Sequence, residues 1–423
     1  MIEAIKSALS ALNIQTWVVS EVSKESAELF FIRKAEDMRR AKAVREFSVT
    51  VYRDFSEDGR EMRGSSAVLL QPGMTGDEIH SKLRNAYEAA RYVKNPFFAL
   101  PEPHREVRAA EGELAELPLE ETAQIMADAL FTPDVMDDSF INSAEIFAER
   151  ARKRVLTSEG ADVSFSVNRV KGEFVAQCAA PKDVEMYFDF EYDVPDTLAL
   201  SALSAEAITT VRDRAEAEKA PAAGSYDLIL TKKHAATVLS AYAESCDAAL
   251  IYAKYSPYAV GSAVQGENVT GDRLNISVFS QEPFSPDGIP MPERPLLEDG
   301  KLVGIYGATR FCRYLGLEPT GSYSCIRVRG GETPLADMKA RPYLMPIAFS
   351  DFQMDALSKR FGGEIRLAYL FDGNSVQLVT GGSVSGSLLE KQGEMTFSKE
   401  RYADSAYDGP CAIRIPGVSV AGR

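Results

Sequence analysis

The chain has 423 residues, 45% of them hydrophobic and 26% charged, a balance that excludes a largely disordered chain and provides core for two or three domains. Lys and Arg number 47 against 62 Asp and Glu, a net charge of −15, and so acidic a surface repels phosphate backbones, which argues against direct nucleic-acid binding. No apolar run approaches the roughly 20 residues of a membrane-spanning helix, and Glu3 and Lys6 do not suit a signal peptide, so no membrane partner is expected and the cytoplasm is the expected compartment.

In chain order, Ile2, Ile5, Leu9 and Leu12 recur at helical spacing, and β-branched segments follow at Thr16 to Val22 and Phe47 to Tyr52. Asp58-Gly59 is a favoured two-residue hairpin turn. Thr75-Gly76-Asp77-Glu78 has the form of a capping box ahead of a helix with Ile79, Leu83, Tyr87 and Ala90 on one face. A Pro-rich stretch from Pro96 to Pro103 breaks the pattern, after which Leu119 to Phe131 and Ile141 to Val155 read as two more helices. Glu120-Glu121 and Asp137-Asp138 head these helices, where acidic groups complement the dipole. Three segments then alternate as strands, Ser164 to Val170, Glu173 to Ala179 and Val184 to Tyr192, before helical composition returns from Leu198 to Ala217.

The small-residue run Lys219 to Gly224 is the expected boundary between an N-terminal α/β domain, 1–220, and a mainly antiparallel, open barrel-like β domain, 221–423. The fold class expected is therefore α+β. In the second half Asp299-Gly300 and Asp372-Gly373 each lie between apolar strands, a hairpin signal. Ile365 to Leu370 and Ile413 to Ile415 alternate like strands with one buried face.

Five cysteines, Cys178, Cys246, Cys312, Cys325 and Cys411, contain no CxxC pair and read as reduced thiols. His80, His104 and His234 are too dispersed for a local metal-ligand pair. His234, beside Lys232 and Lys233, could serve as a general base, but no Ser or Cys nucleophile is fixed to it by sequence, and it reads as a solvated helix start. Gly266 to Arg273 has P-loop glycine spacing but places Asp272 where the phosphate-binding lysine belongs, so it reads as a turn. Gly382-Ser383-Val384-Ser385-Gly386 has the outline of a nucleophile elbow with valine at its centre, and reads as a strand edge.

Several segments in order resemble one family. They are Gly224 to Leu230 followed by a helix and Tyr255-Ser256-Pro257-Tyr258; Asp287-Gly288-Ile289-Pro290; Leu296 to Leu302; Pro319-Thr320-Gly321; and Gly363 to Leu370 with Gly382 to Ser387. Together, over roughly residues 200 to 423, they are similar to the TldD/TldE (PmbA) family, once called modulators of DNA gyrase. The resemblance implies HExxxH on the helix after Gly224 to Leu230, with its first His falling on Ser240, its Glu on Ala241 and its second His on Ser245. A catalytic zinc needs three protein ligands and an adjacent carboxylate base. Serine is a poor zinc ligand, and Ala241 cannot be a base. The family also draws a Cys ligand from near its C-terminus. Cys411 is the thiol in that region, but its sequence context places it in the final strand instead.

No cofactor, metal site or catalytic residue is therefore expected, and Asp287 and Gly288 stand as possible cleft residues. The resemblance implies a non-catalytic TldE-type partner or scaffold, a homodimer or a heterodimer with a TldD-type metallopeptidase, shaping a cleft for peptide or unfolded protein. The runs Gly363 to Leu370 and Ser383 to Leu388 are expected to offer free strand edges to such a peptide. The alternative is a divergent peptidase with a non-standard metal or an unrelated site.

Overall fold

Residues 1–109 and 112–422 are described by the computed structural model. Helices make up 22% and strands 45% of an α+β fold.

The first half is built on one twisted sheet in the order Arg60–Leu70, Ala35–Glu57, Thr16–Ile32, Ser139–Thr157, Asp162–Cys178. These neighbours are all antiparallel. The outer side of Asp162–Cys178 takes the parallel strand Arg105–Arg108 near one end and the antiparallel strand Val184–Tyr192 near the other. Alternation along Thr16–Ile32 sends Val19, Ala27 and Leu29 to one face, and helices cover that face in two groups. Ile2–Ala11 and Gly76–Ala90 pack Ile5, Leu9, Ile79 and Leu83 onto Val19, Phe47, Val49 and Val51. Leu119–Phe131 and Thr197–Glu216 pack Met126, Leu130, Leu200 and Val211 onto Leu29, Ile146 and Phe174. The Thr75 box forms as expected: its hydroxyl accepts from the Glu78 N–H while the Glu78 carboxylate accepts from the Thr75 N–H.

Ile141 to Val155 is not a helix. It lies inside the strand Ser139–Thr157, which pairs on both sides along its length, and its Ala144, Ile146 and Ala148 alternate into the core. The Ala, Glu, Arg and Lys of this stretch favour helix, but cross-strand pairing on two edges outweighs a propensity worth only tenths of a kcal/mol per residue. Asp137-Asp138 accordingly precedes a strand. Ser164 to Val170 and Glu173 to Cys178 are likewise parts of one strand, Asp162–Cys178, and Ala179 lies just past its end. Gly172 keeps it continuous, because the Phe190 ring and the Glu145 carbonyl lie within 2.8 Å of where its Cβ would stand. The strands begun at Thr16 and ending near Tyr52 run far beyond their apolar ends, through a solvent-exposed charged stretch at Ala35 to Ala43.

In the second half five strands close into a barrel, in the ring Gly224–Thr231, Ala412–Ala421, Ser383–Ser387, Arg360–Phe371, Tyr343–Asp355 and back to Gly224–Thr231. The expected open barrel is thus closed. A second sheet follows the order Lys301–Leu302, Arg294–Glu298, Ile276–Phe279, Cys325–Val328, Tyr407–Pro410, Arg401–Ala403. Asp58-Gly59 and Asp299-Gly300 both turn with positive φ, the requirement of a two-residue hairpin. Asp372 instead opens a longer loop, its carboxylate accepting from the Asn374 and Ser375 N–H groups.

Closure removes the expected free edges. Arg360–Phe371 is flanked by Tyr343–Asp355 on one side and by Val376–Val379 and Ser383–Ser387 on the other, and Ser383–Ser387 lies between Arg360–Phe371 and Ala412–Ala421. The segment after Thr197–Glu216 pairs with the strand Val376–Val379, which flanks the barrel: Lys219 bridges Val379 and its carbonyl accepts from the Thr380 N–H.

Candidate functional site

The helix Lys232–Glu244, which carries the positions implied by the family resemblance, lies between barrel and second sheet. Val238, Leu239 and Tyr242 share one core with Leu228, Leu230, Ile365 and Ile413 of the barrel and with Ile276, Val278, Ile326 and Val328 of the second sheet. A helix enclosed on two sides is apolar around most of its circumference, so small residues such as Ala235, Ala241 and Ala243 allow the sheets to approach. Ala241 and Ser245 are four residues apart and share a face; Ser240 is turned about 100° away from Ala241. Ser240 is half-buried, whereas Ala241 and Ser245 are buried.

The Ser245 hydroxyl donates to the Ala241 carbonyl at 2.9 Å. Its oxygen accepts in turn from Lys359 Nζ, which also donates to the Ala241 carbonyl. Lys359 is only 3% exposed, and its ammonium stands 5.4 Å from the Tyr242 ring centroid. Burial lowers its pKa to about 8, with Cys246 and Glu244 opposing that fall. The turn between Tyr343–Asp355 and Arg360–Phe371 aims it inward. Asp355 accepts from the Leu357 N–H and the Ser358 hydroxyl, and Lys359 takes a left-handed φ of 56°. Nothing in the sequence around Lys359 marks this contact, because the partners are 114 residues apart.

The other polar groups here are held internally. Tyr242 Oη donates to Gln392 Oε1 at 3.1 Å, and Cys246 Sγ donates to the Tyr242 carbonyl at 3.3 Å. Burial pushes the Cys246 thiol up to about 12, which keeps it from becoming a thiolate ligand. Cys411 sits in the bend before Ala412–Ala421 and not in that strand, and its carbonyl accepts from the Lys232 N–H. From Lys232 to Ser245 the helix rises about 20 Å, so this thiol stands at the opposite end of the helix. Burial raises its pKa as well.

A zinc ion does not fit this arrangement. The three motif positions supply no imidazole and no carboxylate, and a lysine amine occupies the lone pair of Ser245. An ammonium and a divalent ion about 4 Å apart repel by roughly 8 kcal/mol at an effective dielectric of 20. Among the described residues, no group of three or more His, Cys, Asp and Glu is placed to hold a metal ion. His80, His104 and His234 stay apart. His234 is not a solvated helix start: it packs edge-on against Phe349 and Phe352, with ring centroids 4.8 and 5.4 Å away, and burial lowers its pKa to about 4.

Asp287 and Gly288 lie where the two halves meet. Thr309 Oγ1 donates to Asp287 Oδ2 at 2.6 Å, and burial raises the carboxyl pKa. Gly288, with φ of 82°, turns against Ala161 and Val163 of the first half. Phe284 beside them packs into Val155, Val163 and Phe165, and Tyr314 Oη donates to the Pro96 carbonyl at 2.7 Å. These are contacts that fasten one half to the other.

Residues 223–422 match the family model described as the PmbA/TldA metallopeptidase C-terminal domain. That half of the chain belongs to the PmbA/TldD family. No curated protein matches the chain. Three solved structures are similar over nearly all of it. A candidate modulator of DNA gyrase from Thermotoga maritima is 15% identical with a TM-score of 0.78, each chain covered in full. A candidate modulator of DNA gyrase from Bacteroides thetaiotaomicron is 16% identical with a TM-score of 0.77, covering 100% of this chain and 99% of that one. TldE from Thermococcus kodakarensis is 13% identical with a TM-score of 0.76, covering 99% of this chain and 100% of its own. At these identities the likeness is one of fold, and it extends through the first half, beyond the PmbA/TldD match. No helix among the described residues is long and apolar enough to cross a membrane.

Proposed function

We propose that this PmbA/TldD-family chain is a non-catalytic member: a partner or scaffold subunit that helps form a peptide-binding cleft in proteolysis or peptide maturation in the cytoplasm. The observation that carries the reading is the set Ser240, Ala241 and Ser245 on the buried helix, which provides neither a metal ligand nor a general base. A fold retained without that chemistry keeps assembly and peptide contact as its uses. The chain pairs with itself or with a TldD-type metallopeptidase, and its substrate is peptide or unfolded protein, not nucleic acid or membrane. The structural likeness to a protein named TldE supports the same choice within the family.

The experiment mixes the purified chain with an HExxxH-bearing relative from the same cell and measures peptidase activity and native mass. Activity that neither chain shows alone, on a particle containing both, is expected. A relative fully active without this chain ends the reading. Light scattering of the chain alone at micromolar concentration is expected to give a dimer, and a monomer at every concentration counts against self-pairing.

A further inference from the structure

The buried ammonium of Lys359 has no part in the partner role. It lies against the face of the Lys232–Glu244 helix that carries the second and third motif positions, 241 and 245, and it comes from a hairpin turn remote in sequence. We propose that Lys359 is a resident cation, one that ties the C-terminal turn of this helix to the barrel through Ala241 and Ser245 and bars a divalent ion from the same face. The inference rests on the proposed function in one respect only, the correspondence of positions 240, 241 and 245 to a metal motif.

A lysine buried to 3% exposure with a lowered pKa is costly to keep, so contacts to its charged form must compensate. Those contacts are a helix carbonyl, a hydroxyl that already donates to that same carbonyl, and the face of Tyr242. A cation close to a helix C-terminus also meets the negative end of the helix dipole. Finally, the geometry is preset: Asp355 fixes the turn and Lys359 itself adopts φ of 56°, a conformation that a non-glycine residue takes at a cost. Charge, direction and backbone strain all serve one contact.

The test uses the full chain and two readouts. Hydrogen exchange is followed at the amides of residues 241 to 246 in wild type, Lys359→Met, Lys359→Arg and Ser245→Ala. Lys359→Met, close in length and uncharged, is expected to raise exchange there about tenfold or more, with Ser245→Ala giving a smaller rise and Lys359→Arg lying nearer wild type. Unchanged protection in Lys359→Met overturns the tie. If Lys359→Met does not fold, the Ser245→Ala arm decides: no local rise in exchange overturns it equally.

The second readout grafts Ser240→His, Ala241→Glu and Ser245→His together, with and without Lys359→Met, and titrates Co²⁺ by its visible absorption. Binding at least about tenfold tighter when Lys359 is replaced is expected. Equal binding, or none in either, overturns the exclusion. Neither readout involves a partner chain or peptidase activity, so failure here leaves the partner reading standing, and failure of the partner reading leaves these outcomes unaffected.

Discussion

Lys359 and Ser245, 114 residues apart, meet through a buried hydrogen bond that joins the barrel hairpin to the helix Lys232–Glu244. That bond occupies an acceptor on the face where the resemblance places the second histidine of a metal motif. The first expectation follows directly. The purified chain, dialysed against a mild chelator, is expected to hold far less than one zinc per chain by elemental analysis. A full equivalent of tightly held zinc would show that ligands assemble from elsewhere and would shift weight to the enzyme reading.

Tyr242 is fully buried, and its hydroxyl donates to Gln392 across 150 residues of chain. Tyr242→Phe keeps the ring and leaves the Gln392 oxygen without this donor. A loss of about 1–3 kcal/mol is expected from chemical denaturation, the usual cost of stranding a buried acceptor. A change within about 0.5 kcal/mol, the usual size at an unconstrained site, would mean that Gln392 finds another partner.

His234 supplies a pH dependence whose sign is fixed by its environment. Its folded pKa is lowered to about 4 by burial against Phe349 and Phe352, below the ordinary histidine value. The unfolded chain therefore binds this proton more readily than the folded one. Stability from this group is present above the ordinary histidine pKa of about 6.5 and is lost as the pH falls towards 4. Melting temperatures of wild type and His234→Phe compared from pH 7.5 to 4.5 should diverge at the acid end, with wild type losing more. Parallel curves would place the imidazole in water.

Gly64 lies where the strand Arg60–Leu70 passes under the end of the helix Gly76–Ala90. A Cβ there would stand 1.8 Å from the Ala90 carbonyl oxygen and 2.7 Å from that of Val93. Both obstacles are backbone, so the helix end must move. Gly64→Ala is expected to cost about 3 kcal/mol or more, in the range of severe overpacking. Gly73→Ala, with nothing within 4 Å, is its control and should change little. Equal thermal melts for the two variants would refute the contact.

Limited proteolysis bears on the proposed division of the chain near residue 220. Ala222, Ala223 and Gly224 are exposed, although Lys219 and Ala217 before them are tied to the barrel or buried. Early cleavage is expected at Ala222 to Gly224. Cleavage confined to the middle of either half would argue against that boundary.

The sequence alone determined what depends on local chemistry. Thr75 and Glu78 form their box and Asp58-Gly59 and Asp299-Gly300 make their turns, because the relevant partners lie within a few residues. The order of motifs from Gly224 onwards was enough to indicate the family. Tertiary structure decided the rest. Ile141 to Val155 became a strand because two neighbours satisfy its backbone along its whole length, a non-local gain that composition does not register. The runs at Gly363 and Ser383 lost their free edges only when the barrel closed. No local signal in the sequence marks Lys359; only the fold, by bringing the hairpin and the helix together, gives its ammonium partners strong enough to hold it out of water.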